Sequence, residues 1–189
     1  DSTSHALNAV NYGTTTELNG KIDGCRYFDN NNDRYDFGAP VALNPGMSSW
    51  TISLWTKTSY VNGENILQKY GSLAGFYLKM YNNGAGGYSY FQVGDGTKNT
   101  FRYRDTTWTD GNWHYLTMVI NRNTNRIDVY LDGVLHNGPG AANLAGFGSI
   151  TATSKFYLRG GTNGRHDEFR ISTTVRNASW IKTCYNNQN

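Results

Sequence analysis

The sequence predicts an all-β domain, a run of short strands separated by polar turns and closed by one C-terminal helix. Three observations carry this reading. Of 189 residues only 16% are charged and 38% apolar, while Gly (22), Asn (23), Thr (20) and Ser (12) dominate. That is the reverse of a helical bundle. Aromatic residues (14 Tyr, 8 Phe, 5 Trp) make up 14%, enough bulky surface to build a core and to exclude disorder. Apolar and polar residues alternate with a period of two in short segments bounded by Gly, Asn and Asp. The length suits one domain, 1–189, and scarcely two.

The strands fall in order at residues 24–28, 49–57, 65–69, 75–81, 88–93, 100–104, 113–121, 126–131, 155–158 and 166–172. The turns between them are explicit. Asn82-Asn83-Gly84 and Gly86-Gly87 separate two Tyr-rich strands, Asp110-Gly111-Asn112 precedes Trp113, and Asp132-Gly133 follows Leu131. After the last strand, Trp180, Ile181, Cys184 and Tyr185 share one face of a helix over 177–185, capped by Thr173 or Thr174. Residues 1–18 are polar and weakly patterned. They read as a loosely packed terminus or as a strand donated to a neighbour.

Several functions drop out. No apolar run approaches the roughly 20 residues of a membrane helix. The opening Asp1-Ser-Thr-Ser-His5 carries no signal region, so a secreted form would be a mature or excised module. The net charge of +3 is scattered without a block, which argues against nucleic acid. Asn177-Ala178-Ser179 is a formal glycosylation sequon, a short match from which nothing follows.

Cys25 and Cys184 are the two cysteines. One bridge between them is the only intramolecular option, and first and last strands are often neighbours in a β-sandwich. The expectation is a structural disulfide; two buried free thiols are the alternative.

Four stretches, in order, resemble the laminin-G-like branch of the concanavalin A-like lectin/glucanase superfamily. They are residues 19–37 (NGKIDGCRYFDNNNDRYDF), 50–55 (WTISLW), 110–133 with DGNWH and IDVYLDG, and 166–172 (HDEFRIS) followed by Arg176, Trp180-Ile181 and Tyr185. The resemblance implies a two-sheet antiparallel jelly-roll β-sandwich. It implies an extracellular setting less directly, since relatives include carbohydrate-binding modules, adhesion domains, glycosidases and lyases.

The residues speak against catalysis. Hydrolases of that superfamily set two carboxylates on one strand face, and no Glu-x-Asp-x-x-Glu or relative of it occurs. Glu is found only at positions 17, 64 and 168. Asp167 and Glu168 are adjacent and point to opposite faces, and Asp128 and Asp132 run into a turn. His114 matches a packing motif of the family.

The same period places Asp167 inward with Phe169 and Ile171, which calls for compensation of a buried carboxylate. The resemblance implies that a structural calcium supplies it, with Asp167 as ligand; by composition and proximity, Asp29 and Asn30 in the polar turn 29–33 are candidates for further oxygens. Backbone N–H groups or Arg165 and Arg170 are the alternative partners.

Alternation also builds a binding face. Phe76, Leu78 and Met80 face inward from one strand and Phe91 and Val93 from the next. That leaves Tyr77, Tyr81, Tyr88, Tyr90, Gln92 and Lys79 outward, joined by Arg102 and Arg104 if Phe101 and Tyr103 face the core. Aromatic rings edged by amides and cations suit a glycan, acidic ones included; exposed Tyr–Arg pairs that merely stabilise a sheet are the alternative. Trp55 and Trp108 are further candidates, with Trp55 matching a packing position. The sequence thus predicts a secreted or cell-surface, non-catalytic carbohydrate-binding module with structural calcium. A structural or adhesive module binding protein or its own copies is the runner-up, and an unusual lyase the third reading.

Overall fold

The computed structural model describes residues 7–30, 32–59, 65–81, 88–105, 108–137, 142–161 and 163–189, with the backbone alone at 81, 88 and 103–105. The chain opens with β1 (Val10–Tyr12), β2 (Thr15–Glu17), β3 (Cys25–Phe28) and β4 (Arg34–Asp36). Longer strands follow: β5 (Trp50–Lys57), β6 (Asn65–Gly71), β7 (Ala74–Tyr81), β8 (Tyr88–Asp95) and β9 (Asn99–Asp105). Then come β10 (Trp113–Asn121), β11 (Arg126–Leu131), β12 (Val134–Leu135), β13 (Tyr157–Leu158), β14 (Gly164–Ser172) and the helix α1 (Ala178–Gln188).

These strands pair into two antiparallel seven-stranded sheets. One has the order β1-β4-β13-β6-β7-β8-β9 and the other β12-β11-β10-β5-β14-β3-β2. Between them lies an apolar core, with Ile52, Leu54, Met118 and Ile120 from one sheet against Leu67, Phe76, Phe91 and Phe156 from the other side. The architecture is the expected jelly-roll sandwich. No helix among the described residues is long and apolar enough to cross a membrane.

The short polar strands β1, β2 and β4 are invisible to periodicity, because three residues cannot show a period. β1 and β2 pair within the chain, with β4 and β3 respectively, so the described part of 1–18 is not donated to a neighbour. Between them the chain changes sheet at Gly13, whose φ of 81° suits glycine. The Asn11 side chain ties that corner, donating to the Thr14 carbonyl and accepting from the Thr14 N–H.

The helix packs on the outer face of the second sheet. Ile181 is fully buried with Trp55, Tyr115, Val119 and Tyr130, and Trp180, Cys184 and Tyr185 pack around them. The expected face is therefore correct, but the cap is not. Asn177 caps the helix by accepting from the Trp180 N–H at 2.9 Å, a role for which Asn is well suited. Trp55 stacks on Tyr185 at 5.6 Å and donates its indole N–H to Gln188. Trp108 is buried and donates to Ser89. Both tryptophans are core residues, not ligand platforms.

The expected disulfide is corrected: Cys25 and Cys184 are both free thiols. Cys25 sits on β3, separated from β5 by β14, whereas Cys184 packs over the cluster around Trp55 and Tyr115. Burial pushes both thiols above their ordinary pKa, which leaves them poor nucleophiles. A thiol reagent is expected to label the native chain slowly and to count two thiols after denaturation, with Tm unchanged by dithiothreitol. A count of zero after unfolding would restore the bridge.

Candidate functional site

The outer face of the second sheet is occupied by α1; the outer face of the first sheet presents polar and aromatic side chains. On β7 and β8, Phe76, Leu78, Phe91 and Val93 are buried while Tyr77, Tyr90 and Gln92 are half-buried on the opposite side. The register explains their meeting: Tyr77 pairs with Gln92, and Lys79 with Tyr90. The Tyr77 hydroxyl donates to Gln92 Oε1 at 2.8 Å and lies 3.4 Å from the Tyr90 hydroxyl. Gln92 Nε2 donates to the Tyr70 hydroxyl at 2.8 Å. The rings meet edge to face, Tyr70 on Tyr77 at 4.8 Å and Tyr77 on Tyr90 at 5.7 Å. Burial, together with the Tyr90 hydroxyl, pushes the Tyr77 phenol far above its ordinary pKa, so it stays a neutral donor.

Tyr70 was not among the expected site residues, because the apolar run fades at Lys69 while the strand continues to Gly71. Its signal lay in simple alternation from Gln68. Opposite it in the register stand Gly75 and then Gly94, and a side chain at Gly94 would come within 3.2 Å of the Tyr70 ring. Gly94 leaves room for that ring.

Arg102 is not part of this face. It pairs with Phe91 and points inward, buried, with Nε donating to the Ile127 carbonyl of the facing sheet at 3.1 Å. β9 is an edge strand, and at the open edge of a sandwich a long stem can line the core while its head reaches backbone. Phe101 takes the outward place, pairing with Gln92 and meeting Tyr90 at 6.0 Å. The side chains of Tyr81, Tyr88, Arg104 and Tyr103 lie outside the described residues.

The face extends across the whole sheet. Val10, Asp36, Tyr157, Gln68, Tyr77, Gln92 and Phe101 stand in one lateral register, one from each strand. Six strand spacings make this row ~29 Å long. Asp36 is its one carboxylate among the described residues. Burial alone would raise the Asp36 carboxyl, but the Lys155 ammonium at 2.9 Å and the Gly38 N–H outweigh it and hold the group below its usual range.

Asp167 lies elsewhere and faces the other way. Glu168, at φ 50°, forms a bulge in β14, and the register against β5 shifts between Asp167 and Arg170. Ile171 pairs with Ile52 and turns inward, but Asp167 pairs with Trp55 and turns outward. Its Oδ2 accepts the N–H groups of Lys21 and Ile22 at 2.9 and 2.8 Å, and Oδ1 accepts that of Glu168 at 2.8 Å. Asp29 and Asn30 do not join it. They follow Phe28, while Asp167 lies beyond the His166–Arg26 pair at the Cys25 end, a distance of ~13 Å along β3. The Asp29 and Asn30 side chains are engaged within their own turn. A calcium ion needs converging oxygens, and N–H groups face Asp167 instead, so these residues do not fit the ion there.

His114 is a pin between two turns. Nδ1 meets Asp132 at 2.7 Å and Nε2 meets Asp110 at 3.1 Å, and Asp132 also accepts the Tyr115 N–H. Two acceptor-only partners require the doubly protonated ring, and the bond to Asp132 outweighs burial to raise its pKa. His166 is the opposite case: burial holds it at about 4, and its Nε2 donates to the Arg159 carbonyl.

Residues 28–182 match the family model of the concanavalin A-like lectin/glucanases superfamily. The chain belongs to that superfamily. The non-toxic nonhemagglutinin of Paraclostridium bifermentans is 30% identical over 122 residues, which is 62% of this chain and 10% of that protein. The binding domain of botulinum neurotoxin serotype G superposes with a TM-score of 0.74 at 15% identity, over 98% of this chain and 48% of that one. The binding domain of botulinum neurotoxin DC has been solved with rat synaptotagmin II and with SialylT, at TM-scores of 0.71 and 0.72 and 14% identity, with the same shares covered. At such identities the likeness shows the fold. This superfamily member spans about half of each neurotoxin binding domain.

Two outcomes follow. Tm is expected to be the same in calcium and in EDTA, whereas Asp167→Asn lowers stability by about 1–3 kcal/mol through weakened acceptors; stabilisation by calcium would return the ion to this place. Because the folded pKa of His114 is raised, its contribution is complete below about pH 6.5 and is lost as pH rises through the folded value. Denaturant midpoints measured from pH 6 upward should fall for the wild type and flatten for His114→Gln; parallel curves would refute the pin.

Proposed function

We propose that the chain is a non-catalytic binding module of an extracellular protein and that it takes a glycan on the outer face of the first sheet. The observation that carries this is the Tyr70–Tyr77–Tyr90 cluster held in one arrangement by Gln92. Rings and amide are fixed before any ligand arrives, so little side-chain entropy is lost on binding. Aromatic faces suit the C–H surface of a pyranose, and the Tyr90, Gln92 and Gln68 polar groups suit its hydroxyls. Asp36, ionised and bound to Lys155, is a poor general acid and has no carboxylate partner in its row. The chain's likeness to neurotoxin binding domains, one of them solved with SialylT, supports a binding role.

A second reading, a protein-docking module, rests on β12, an edge strand whose Val134 and Leu135 are exposed and which can accept a strand. The neurotoxin domain solved with synaptotagmin II supports a protein partner in the same limited way. A glycan-array screen separates the two. Signal that falls about tenfold or more in Tyr77→Ala and Gln92→Ala, with the thermal melt retained, is the expected result. A blank array from the folded wild type, with concentration-dependent sedimentation, would favour the protein partner.

A further inference from the structure

We propose that Arg34 and Arg159, both beside Tyr157, form a subsite for the anionic group of a glycan at the β1-β4-β13 end of the same face. This rests on the glycan reading and names the class of ligand. Tyr157 stands in the lateral row, two strands from Tyr77, at ~10 Å. The Arg34 guanidinium lies 4.1 Å from the centre of the Tyr12 ring and 5.8 Å from that of Tyr157, and the Arg159 guanidinium 4.9 Å from that of Tyr157. The rings fix the orientation of both forks by cation–π contact.

The forks themselves are left under-used. Arg34 donates one bond, to the Asn32 carbonyl at 3.0 Å. Arg159 makes no side-chain hydrogen bond among the described residues: its Nε is shut from solvent, and its two outer nitrogens are accessible and unbonded, which leaves them for an acceptor from outside. Among the described residues no carboxylate pairs with either guanidinium, although Arg165 and Arg170 are paired with Glu17 and Glu168. The nearby Asp36 is bound by Lys155. Two oriented guanidiniums on an aromatic ring match the planar, bidentate demand of a carboxylate or the oxygens of a sulfate ester. A ligand chain crossing the strands would then set neutral sugars on Tyr77 and Gln92 and its anionic group between Arg34 and Arg159.

The test titrates the whole chain with hyaluronan oligosaccharides (carboxylate only), dextran sulfate fragments (sulfate only) and neutral dextran, for the wild type, R34Q/R159Q, R34K/R159K and Tyr77→Ala. The wild type is expected to prefer one of the polyanions over dextran by about tenfold or more, the scale of one charge-assisted hydrogen bond. R34Q/R159Q should lose that preference while keeping its affinity for dextran. R34K/R159K should lose it too, because lysine keeps the charge without the fork. Preference retained in R34Q/R159Q, or retained in full in R34K/R159K, overturns the subsite. Dextran bound as tightly as the polyanions and released by Tyr77→Ala would remove the subsite and leave the glycan face standing. A folded wild type that binds none of the three removes both.

Discussion

The bulge at Glu168 governs how the second sheet closes and how the loop before β3 meets the C-terminal helix. One extra residue lets His166 and Ile171 both face the core although five positions separate them, and it turns Asp167 outward between them. Pairing of β14 with β3 stops at His166–Arg26, and the space beyond is a cleft of about 290 Å³ lined by Thr16, Cys25, Asp167 and Glu168 among others. Asp167 closes this side by bonding the N–H groups of Lys21 and Ile22. Lys21 in turn lies over the Trp55 ring and donates to Asn189. A single backbone irregularity therefore connects the sheet, the loop before β3 and the end of the helix.

Most of the fold was legible because its long strands alternate cleanly. All ten expected strands exist, and the helix face at Trp180, Ile181, Cys184 and Tyr185 packs as its spacing indicated. The elements without a sequence signal are short or irregular. β1, β2 and β4 are three residues each and mostly polar, and they are defined by pairing with other strands of their sheets, a non-local property. The sequence does not single out the cap, because Ser, Thr and Asn are close in capping preference; Asn177 takes the role over Thr173 and Thr174 because the helix starts at Ala178.

The site was legible to the extent that alternation held. It placed Tyr77, Tyr90 and Gln92 together correctly, since no bulge interrupts β7 and β8. It failed where a rule of hydrophobicity was used to choose the phase. At β9 the larger apolar residue, Phe101, was assigned to the core, yet the register gives that place to Arg102, whose head finds a carbonyl across the edge. Lys69 repeats the pattern on β6: it is fully buried, with its ammonium bonded to the Ser154 carbonyl, and burial lowers its pKa. At a sheet edge or near a strand end a long cationic side chain can serve as core, so apolar identity alone does not fix the phase of a strand. At β14 the phase was right on one side of Glu168 and reversed on the other.

The two outer faces have different fates for one reason, the position of α1. Where the helix lies, Trp55, Tyr115 and Val119 are buried like core residues, and that surface is spent on holding the terminus. Among the described residues no helix covers the first sheet, and its outward residues follow another logic. They are aromatic but carry polar ends, and they satisfy one another laterally through Tyr–Gln–Tyr bonds. A face selected only for solubility would carry scattered charges with high side-chain entropy, which resist ordering. Here a seven-strand row holds one carboxylate, two glutamines and three aromatic rings. Order of this kind costs stability in lost side-chain freedom unless bonding within the row offsets it. Its benefit accrues when a ligand of matching length meets a surface that need not rearrange.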